Sequence, residues 1–286
     1  MAKLPSFKLS GKFSAKRSLP GQSFLSTFFF PLIDILSLLA WGLLMLKYSF
    51  SGELNLLVHP NYFGLVTATG VVLVVLSVSR GGQWLKRLFR KKSGQQVGDV
   101  VAHITLLPIG LGSMVLLLTA ILGFVIPPTA FSSQVALQRG ISDTLPATQL
   151  EAQSFTAQIK PEERSLIDWI RTINAYPEPD AYAGQRANVT GFVVYPPYLP
   201  NNYILISRFI LTCCAVDAYP VGLPVRLDGD RTQFPQDTWL SIQGEMTTET
   251  LPIGNPVNGQ IPKKRQVVLI AESIKAIPTP RDPYSY

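Results

Sequence analysis

Three long apolar stretches lie within the first 126 residues of this 286-residue chain. They are Phe24–Leu46, Tyr62–Ser79 and Val100–Ile126, with lengths of 23, 18 and 27 residues, and none contains Lys or Arg. About 20 apolar residues at a rise of 1.5 Å cross the ~30 Å hydrocarbon core of a bilayer. Core helices of globular proteins are shorter and amphipathic. The sequence therefore predicts three transmembrane helices within residues 24–126.

Positive charge is concentrated in this apolar half. Residues 1–130 hold 12 Lys/Arg and three acids, whereas residues 131–286 hold 13 Lys/Arg and 15 acids. Lys and Arg in short loops mark the cytoplasmic side of a membrane protein, and here they precede the first stretch and follow the second. A nucleic-acid-binding protein would carry this charge on its folded domain, so we expect no nucleic-acid partner. We expect a multi-pass protein of the cell inner (plasma) membrane, with a cytoplasmic N-terminus and an extracytoplasmic C-terminal domain.

The rest of the chain divides by composition. Residues 1–23 contain no acid and are rich in Lys and Ser, which is typical of a basic cytoplasmic tail or of a transit peptide. The tail is the favoured interpretation. Pro127 and Pro128 end the third apolar stretch, and we expect a linker over residues 127–160. A soluble domain is then predicted over residues 161–286.

The soluble domain is predicted to begin with a helix and to continue with strands. Apolar residues in Glu162–Ile173 recur at a helical spacing, and Pro161 suits a first-turn position. Five runs that alternate or are rich in β-branched residues follow, separated by Pro, Asn, Asp and Gly. A helix and five short strands in about 100 residues favour a mainly β, OB-like small barrel. The predicted strands are Ala187–Val194, Tyr203–Thr212, Val221–Leu227, Trp239–Glu245 and Gln266–Ile277.

Cys213 and Cys214 are adjacent and are the only cysteines. Neighbouring residues on a strand point to opposite faces, so we expect one side chain to face the interior and the other to face outward. Asp217 follows closely, and two thiolates with a carboxylate suit zinc or copper, although a closed zinc site needs a fourth ligand. The structural alternative is a small apolar filler and a surface thiol, with Asp217 capping a turn. Arg208 is a further candidate partner for Asp217 in an ion pair.

His59 precedes Pro60 just before the second apolar stretch. Imidazole is a common metal ligand and proton carrier, which makes His59 a candidate member of the same metal site. The alternative is structural: the segment forms the turn that begins a helix, and Asn61 caps that helix.

Asp34 and several glycines are candidate contacts inside the membrane. Asp34 lies near the middle of the first apolar stretch, where a carboxylate needs a partner or a proton. It either meets a transport path or partner helix, or is hydrogen-bonded within a small bundle. Gly110 and Gly112 in the third stretch favour close approach of another helix, from this chain or from a partner.

Two segments carry a family resemblance. They are Ser51–Tyr62 (SGELNLLVHPNY) and Arg208–Gly222 (RFILTCCAVDAYPVG), supported by Gly191-Phe-Val193, Trp239 and Gly244. Together they resemble the bacterial YcgQ-type permease-subunit family. The resemblance implies N-terminal spans, a C-terminal β-rich domain, a separate multi-spanning permease as partner and a part in divalent-metal handling. Many members carry a His-rich loop between spans, whereas Arg80–Val97 contains no histidine, which weakens an implied metal relay.

The chain lacks the motifs of common enzymes. It has no Walker A loop, Rossmann fingerprint, HExxH or GxSxG, so we do not expect an enzyme. Three spans are too few for an ordinary transport path, and the leading hypothesis is an accessory subunit of a membrane permease. Its outer domain would gate or deliver a small solute or metal ion. The alternatives are a membrane-tethered metal-binding module and an assembly factor that binds another protein through a strand edge. No cofactor is predicted beyond zinc or copper.

Overall fold

The structure, a computed structural model, describes residues 28–89, 111–141, 160–254 and 261–286. The chain forms two compact units: Met1–Lys47 with Thr67–Ile126, and Tyr48–Val66 with Pro127–Tyr286. The loop between the first two apolar stretches therefore belongs to the same unit as the C-terminal half. The predicted tail, Gly110 and much of the predicted linker lie outside the described residues.

Among the described residues, the first unit contains most of three apolar helices. Helix α1 covers Phe30–Ser51, α2 covers Phe63–Phe89 and α3 covers Leu111–Val125. By length and composition, the first two of these helices are suited to cross a membrane, and α3 is a shorter apolar helix of 15 residues. Residues 100–110 of the third predicted span lie outside the described residues, so three spans remain a prediction.

Small residues let α1 and α2 pack closely. A Cβ added at Gly42 would lie 2.8 Å from Val74 Cγ2 and 3.0 Å from the carbonyl oxygen of Gly70. The Ser77 hydroxyl also donates to the carbonyl oxygen of Ile35 at 2.9 Å. Such contacts replace the hydrophobic driving force that apolar helices lack in lipid.

The second unit contains all five predicted strands and one more. The predicted starts at Ala187, Tyr203 and Trp239 lie within one residue of the observed strand starts. The second strand is shorter than predicted and the fourth is longer. Strand β6 has two residues and was not predicted. The strands are β1 Arg186–Val194, β2 Tyr203–Ile210, β3 Tyr219–Arg226, β4 Trp239–Pro252, β5 Lys263–Ile277 and β6 Tyr284–Ser285.

Strand pairing in this sheet returns to its starting point. Strand β1 is antiparallel to β2 and to β4, β2 is antiparallel to β3, and β4 is antiparallel to β5. Strands β3 and β5 are parallel through Val225–Leu269 and Arg226–Ile270. The series of neighbours is thus β1–β2–β3–β5–β4–β1, with β6 added parallel to β2.

Helix α5, Leu166–Ala175, begins later than the predicted Glu162 because Pro161–Glu163 forms a 3-10 turn. Ser165 caps α5 by accepting from the N–H of Asp168 at 3.2 Å, and the Asp168 carboxylate accepts from the N–H of Ser165 at 3.1 Å. This capping box fixes the first turn. Helix α5 buries Trp169 and Leu166 in the core cluster of the sheet, while the short helix α4, Ser133–Arg139, lies in the segment expected to be a linker.

Candidate metal centre

The loop between β2 and β3, residues 211–218, carries the candidate site and is called the Cys loop here. Strand β2 ends at Ile210, so Cys213 and Cys214 lie beyond it. The expectation that they occupy opposite faces of a strand is wrong, because the chain has already left the extended ladder and is turning. Cys213 is exposed and Cys214 is half-buried.

The turn brings three potential ligands together. The Sγ atoms of Cys213 and Cys214 and a carboxylate oxygen of Asp217 all lie within 4.8 Å of one another. Among the described residues, this is the group of three or more His, Cys, Asp or Glu side chains that meets the spacing of a metal site. Thiolate and carboxylate donors at this spacing suit zinc or a soft ion such as copper(I).

Asp217 also caps the turn, as the structural alternative predicted. Its carboxylate accepts from the backbone N–H of Cys213 at 2.9 Å and from that of Cys214 at 3.2 Å. Burial raises the pKa of Asp217, but hydrogen bonds from the Cys213 thiol and from the N–H groups of Cys213, Cys214 and Thr212 outweigh it. The net pKa lies below its usual value, so the group is a carboxylate at neutral pH. Capping and ligation are compatible because each carboxylate oxygen has two lone pairs.

The contact between Asp217 and Cys213, which lowers the pKa of the carboxyl group, raises the pKa of the thiol. The pKa of the Cys213 thiol is raised to about 11. The largest cause is its hydrogen bond to Asp217, and the next largest is a hydrogen bond to Cys214. Cys213 is therefore a neutral thiol at physiological pH, and a metal ion must displace its proton in order to bind.

The loop before α2 holds the Cys loop from one side. Val58 and Cys214 form an antiparallel bridge. The N–H of His59 donates to the carbonyl oxygen of Cys213 at 3.0 Å, and the N–H of Ala215 donates to that of Leu57 at 2.8 Å. Sequence reasoning does not predict this pairing. The two segments are about 155 residues apart in the chain, and no local sequence pattern indicates which residues of one pair with which residues of the other.

Helix α4 and the C-terminal strand hold the Cys loop from other directions. The Arg139 guanidinium donates to the carbonyl oxygens of Ala215, at 3.3 Å, and Ala218. It also lies 4.7 Å from the ring centroid of Phe131. The N–H of Leu211 donates to the carbonyl oxygen of Ser285 at 2.9 Å. The prediction of a linker over residues 127–160 does not include this role of Arg139, although Ser132 and Gly140 are the usual residues for the two ends of a short helix.

His59 is a helix cap in this structure. Its Nδ1 accepts from the N–H of Asn61 at 3.1 Å at the start of the 3-10 turn Pro60–Tyr62, so the prediction that Asn61 is the cap is wrong. The imidazole ring lies edge-on to Tyr286 at 5.0 Å between centroids. His59 stands outside the three-donor group.

The other predicted residues have separate contacts. The Ser113 hydroxyl donates to the carboxylate of Asp34 within the first unit, which agrees with hydrogen bonding inside a small bundle. Among the described residues, and leaving aside the chain neighbours and helix backbone of Gly112 itself, no atom lies within 4 Å of a Cβ added at Gly112. Arg208 donates to the carbonyl oxygen of Asp282 at 3.0 Å and lies 5.6 Å from the ring centroid of Trp239, so it is not the partner of Asp217.

Comparison with known proteins identifies the family. The model of the DUF1980 N-terminal domain matches residues 33–142, and that of the DUF1980 C-terminal domain matches residues 143–286. Neither the curated proteins nor the solved structures give a significant match. Because the two family models together cover the apolar helices and the whole β sheet, the chain belongs to the DUF1980 family.

Proposed function

We propose that this protein is a membrane-anchored accessory subunit of a transporter. We further propose that its second unit, called the β unit below, binds a thiophilic metal ion at Cys213, Cys214 and Asp217. The observation that carries the proposal is the convergence of two thiols and a carboxylate within 4.8 Å. Backbone contacts from two other parts of the second unit, Leu57–His59 and Ser285, hold the loop in this shape. A loop with ligands already close together loses less conformational entropy on binding.

The ligand set favours an ion in transit over a structural one. Structural zinc sites are closed by four protein ligands, whereas three protein ligands leave one position for water or for an incoming group. Copper(I) also suits thiolate ligands. The exposure of Cys213 gives an ion a direct path to solvent or to a partner protein. These properties support delivery or capture of zinc or copper as the role of the site.

The architecture that we propose follows the charge and helix pattern. Helices α1, α2 and α3 cross the inner membrane with the N-terminus in the cytoplasm, and the β unit lies outside the cytoplasm. The strand pairing that returns to β1 supports an OB-like barrel. The space left open at Gly112 by the described residues offers a surface for the helices of a multi-spanning permease, which the resemblance to YcgQ-type proteins also favours.

Metal content of the purified full chain tests the binding part of this proposal. The reduced protein in mild detergent is loaded with zinc or copper(I), desalted and analysed for metal per chain. We expect about one ion per chain, and loss of that ion in the Cys213→Ser/Cys214→Ser double variant. Asp217→Asn should weaken retention, whereas the matched control Asp230→Asn should not, because Asp230 caps a different turn through the N–H of Thr232 at 2.8 Å. Wild-type protein without stoichiometric metal, or unchanged metal in the double variant, would overturn the metal site.

Co-purification tests the accessory role separately. The tagged chain is captured from membranes in mild detergent, and bound proteins are identified by mass spectrometry. We expect a multi-spanning membrane protein to be recovered, and Gly112→Trp to reduce its recovery while metal content stays unchanged. Absence of any multi-spanning partner would contradict the accessory role and leave the metal site standing.

A further inference from the structure

The two thiols of the Cys loop are placed for a second chemistry besides metal binding. Cys213 and Cys214 are neighbours in the chain, and their Sγ atoms lie within 4.8 Å of each other. A disulfide bond is about 2.05 Å long, so the sulfur atoms need to approach by less than about 3 Å. Both residues are free cysteines, and the exposed side chain of Cys213 can be reached by an external reactant. The pair therefore has the spacing and the access that oxidation to a disulfide requires.

A disulfide between adjacent cysteines is strained. Consecutive Cα atoms are about 3.8 Å apart across a trans peptide, whereas the Cα atoms of disulfide-bonded cysteines are usually about 4.4–6.8 Å apart. Strain and exposure both make a disulfide easier to reduce, and bonds of this kind are labile or regulatory instead of structural. The adjacency of Cys213 and Cys214 therefore favours a bond that forms and opens reversibly.

The peptide group between the two cysteines takes part in the contacts that shape the Cys loop. Its carbonyl oxygen, on Cys213, accepts from the N–H of His59 at 3.0 Å. Its N–H, on Cys214, donates to the Asp217 carboxylate at 3.2 Å. A disulfide between neighbours closes a small ring that includes this peptide group, so ring closure acts against both hydrogen bonds. Oxidation therefore changes the shape of the Cys loop as well as its thiols.

We propose that Cys213 and Cys214 form a redox switch, in which a reversible disulfide between them releases the bound metal ion. The oxidant is a low-molecular-weight disulfide such as oxidised glutathione. The thiolate of one cysteine attacks this disulfide and expels one glutathione thiolate. The second cysteine then attacks the resulting mixed disulfide, forms the Sγ–Sγ bond and expels the other glutathione. The cysteine pair loses two electrons and two protons, and the oxidant is reduced to two thiols.

The disulfide removes two of the three ligands from the candidate metal centre. Thiolates bind metal ions, whereas disulfide sulfur atoms carry no charge, so Asp217 alone remains from the ligand set. The proposed position of the β unit outside the cytoplasm is the oxidising environment in which disulfides form. Release of metal rests on the proposed function, whereas formation of the disulfide depends only on the two thiols.

Intact-mass measurement of the full chain tests the disulfide. The protein in mild detergent is reduced, freed of metal with a chelator, desalted and incubated with oxidised glutathione, and then treated with N-ethylmaleimide. Mildly alkaline pH is used because the raised pKa of Cys213 keeps its thiolate scarce at neutral pH. We expect a monomer that is lighter by two hydrogen atoms and carries neither maleimide nor glutathione. Reduction before labelling should restore the reaction of both thiols with maleimide.

The single variants Cys213→Ser and Cys214→Ser are matched controls. Each keeps one thiol and the serine hydroxyl in place of the other, so each should gain glutathione or maleimide and should never become lighter by two hydrogen atoms. A wild-type product that carries two maleimides, that keeps glutathione or that is a disulfide-linked dimer would overturn the proposal.

Zinc retention tests the consequence of the switch. Reduced and oxidised protein are each loaded with zinc, desalted and analysed for metal per chain. We expect the oxidised form to retain at least about tenfold less zinc than the reduced form. Zinc bound beforehand should slow disulfide formation, because the two equilibria compete for the same thiolates.

The two experiments fail separately. Equal zinc retention by the oxidised and reduced forms would overturn the switch even if the disulfide forms. A reduced form that binds no zinc would overturn the proposed function and the release of metal with it. The mass measurement, made on metal-free protein, decides the disulfide in either case.

Discussion

Asp217 uses one carboxylate for the fold and for the candidate metal site. It fixes the turn by accepting from the N–H groups of Cys213 and Cys214, and this places both thiols beside it. The residue spacing alone identified these three side chains as candidate ligands. It did not show that the chain turns at Cys213, because that turn depends on contacts with Leu57–His59 and Arg139 far away in sequence.

The raised pKa of Cys213 predicts a pH profile for thiol reactivity. In a Cys214→Ser background, the rate of alkylation by iodoacetamide should keep rising with pH beyond the pKa of an ordinary thiol, because the hydrogen bond to Asp217, the largest cause of the raised pKa, remains. Asp217→Asn removes the negative charge beside the thiol and replaces the carboxylate acceptor by a weaker neutral one, so the protonated thiol is favoured less. The midpoint should then move toward the ordinary thiol value, with faster alkylation at neutral pH. A profile that does not change in Asp217→Asn would contradict the contact.

Gly244 marks a place where strand β4 cannot carry a side chain. A Cβ there would lie 1.9 Å from the carbonyl oxygen of Ile270, at the register shift between β4 and β5. Gly244→Ala should lower the free energy of unfolding by about 1–3 kcal/mol, measured by urea unfolding of the full chain in detergent. In the control Gly229→Ala, the new methyl would meet only the flexible end of Gln233, at 2.7 Å, so little change is expected. Equal stability of the two variants would show that the bulge relaxes easily.

Among the helices and strands, α5 illustrates which features the local sequence predicts and which it does not. The apolar spacing predicted the helix, and the Ser165–Asp168 capping box determines where it begins. The predicted start at Glu162 is too early because Pro161 begins a separate 3-10 turn and not the first turn of the α-helix. The strands were predicted well, since turn residues separate them and alternation records which face is buried.

The capping box predicts the effect of a single substitution. Ser165→Ala removes the acceptor for the N–H of Asp168, and it should lower the free energy of unfolding by about 1 kcal/mol. Ser165→Thr keeps the hydroxyl and should cost much less. Urea unfolding followed by circular dichroism measures both. If the threonine variant loses as much as the alanine variant, the side-chain cap contributes nothing.

At the scale of the whole molecule, the chain combines helices suited to lipid with a β sheet whose core is its own. The first unit exposes large apolar residues along its helices, such as Val78, Val75 and Leu118, with exposed fractions of 66%, 60% and 58%. Exposed apolar surface on this scale needs a covering, and a bilayer provides one. The β unit instead buries its largest apolar side chains among its strands and α5.

This contrast predicts the behaviour of the chain in cells. The full chain should stay with the membrane after a carbonate wash if the apolar helices anchor it as proposed. A membrane-impermeant maleimide applied to intact spheroplasts should label Cys213 and Cys214, since the proposed topology places them outside. The Cys213→Ser/Cys214→Ser variant controls for reaction elsewhere. Labelling only after detergent permeabilisation would reverse the proposed orientation.

The apolar helices, the five main strands and the three donor side chains can be predicted from the chain alone, because they depend on composition, periodicity and short spacing. The long-range contacts around the Cys loop are visible only in the folded structure. It placed the Leu57–His59 segment beside Cys213–Ala215, brought Arg139 onto the Cys loop, made His59 a cap and added β6 next to β2. Each of these contacts joins residues distant along the chain or replaces one local hydrogen-bond partner by another. Such choices depend on the free energy of the whole packed unit, which no local pattern records.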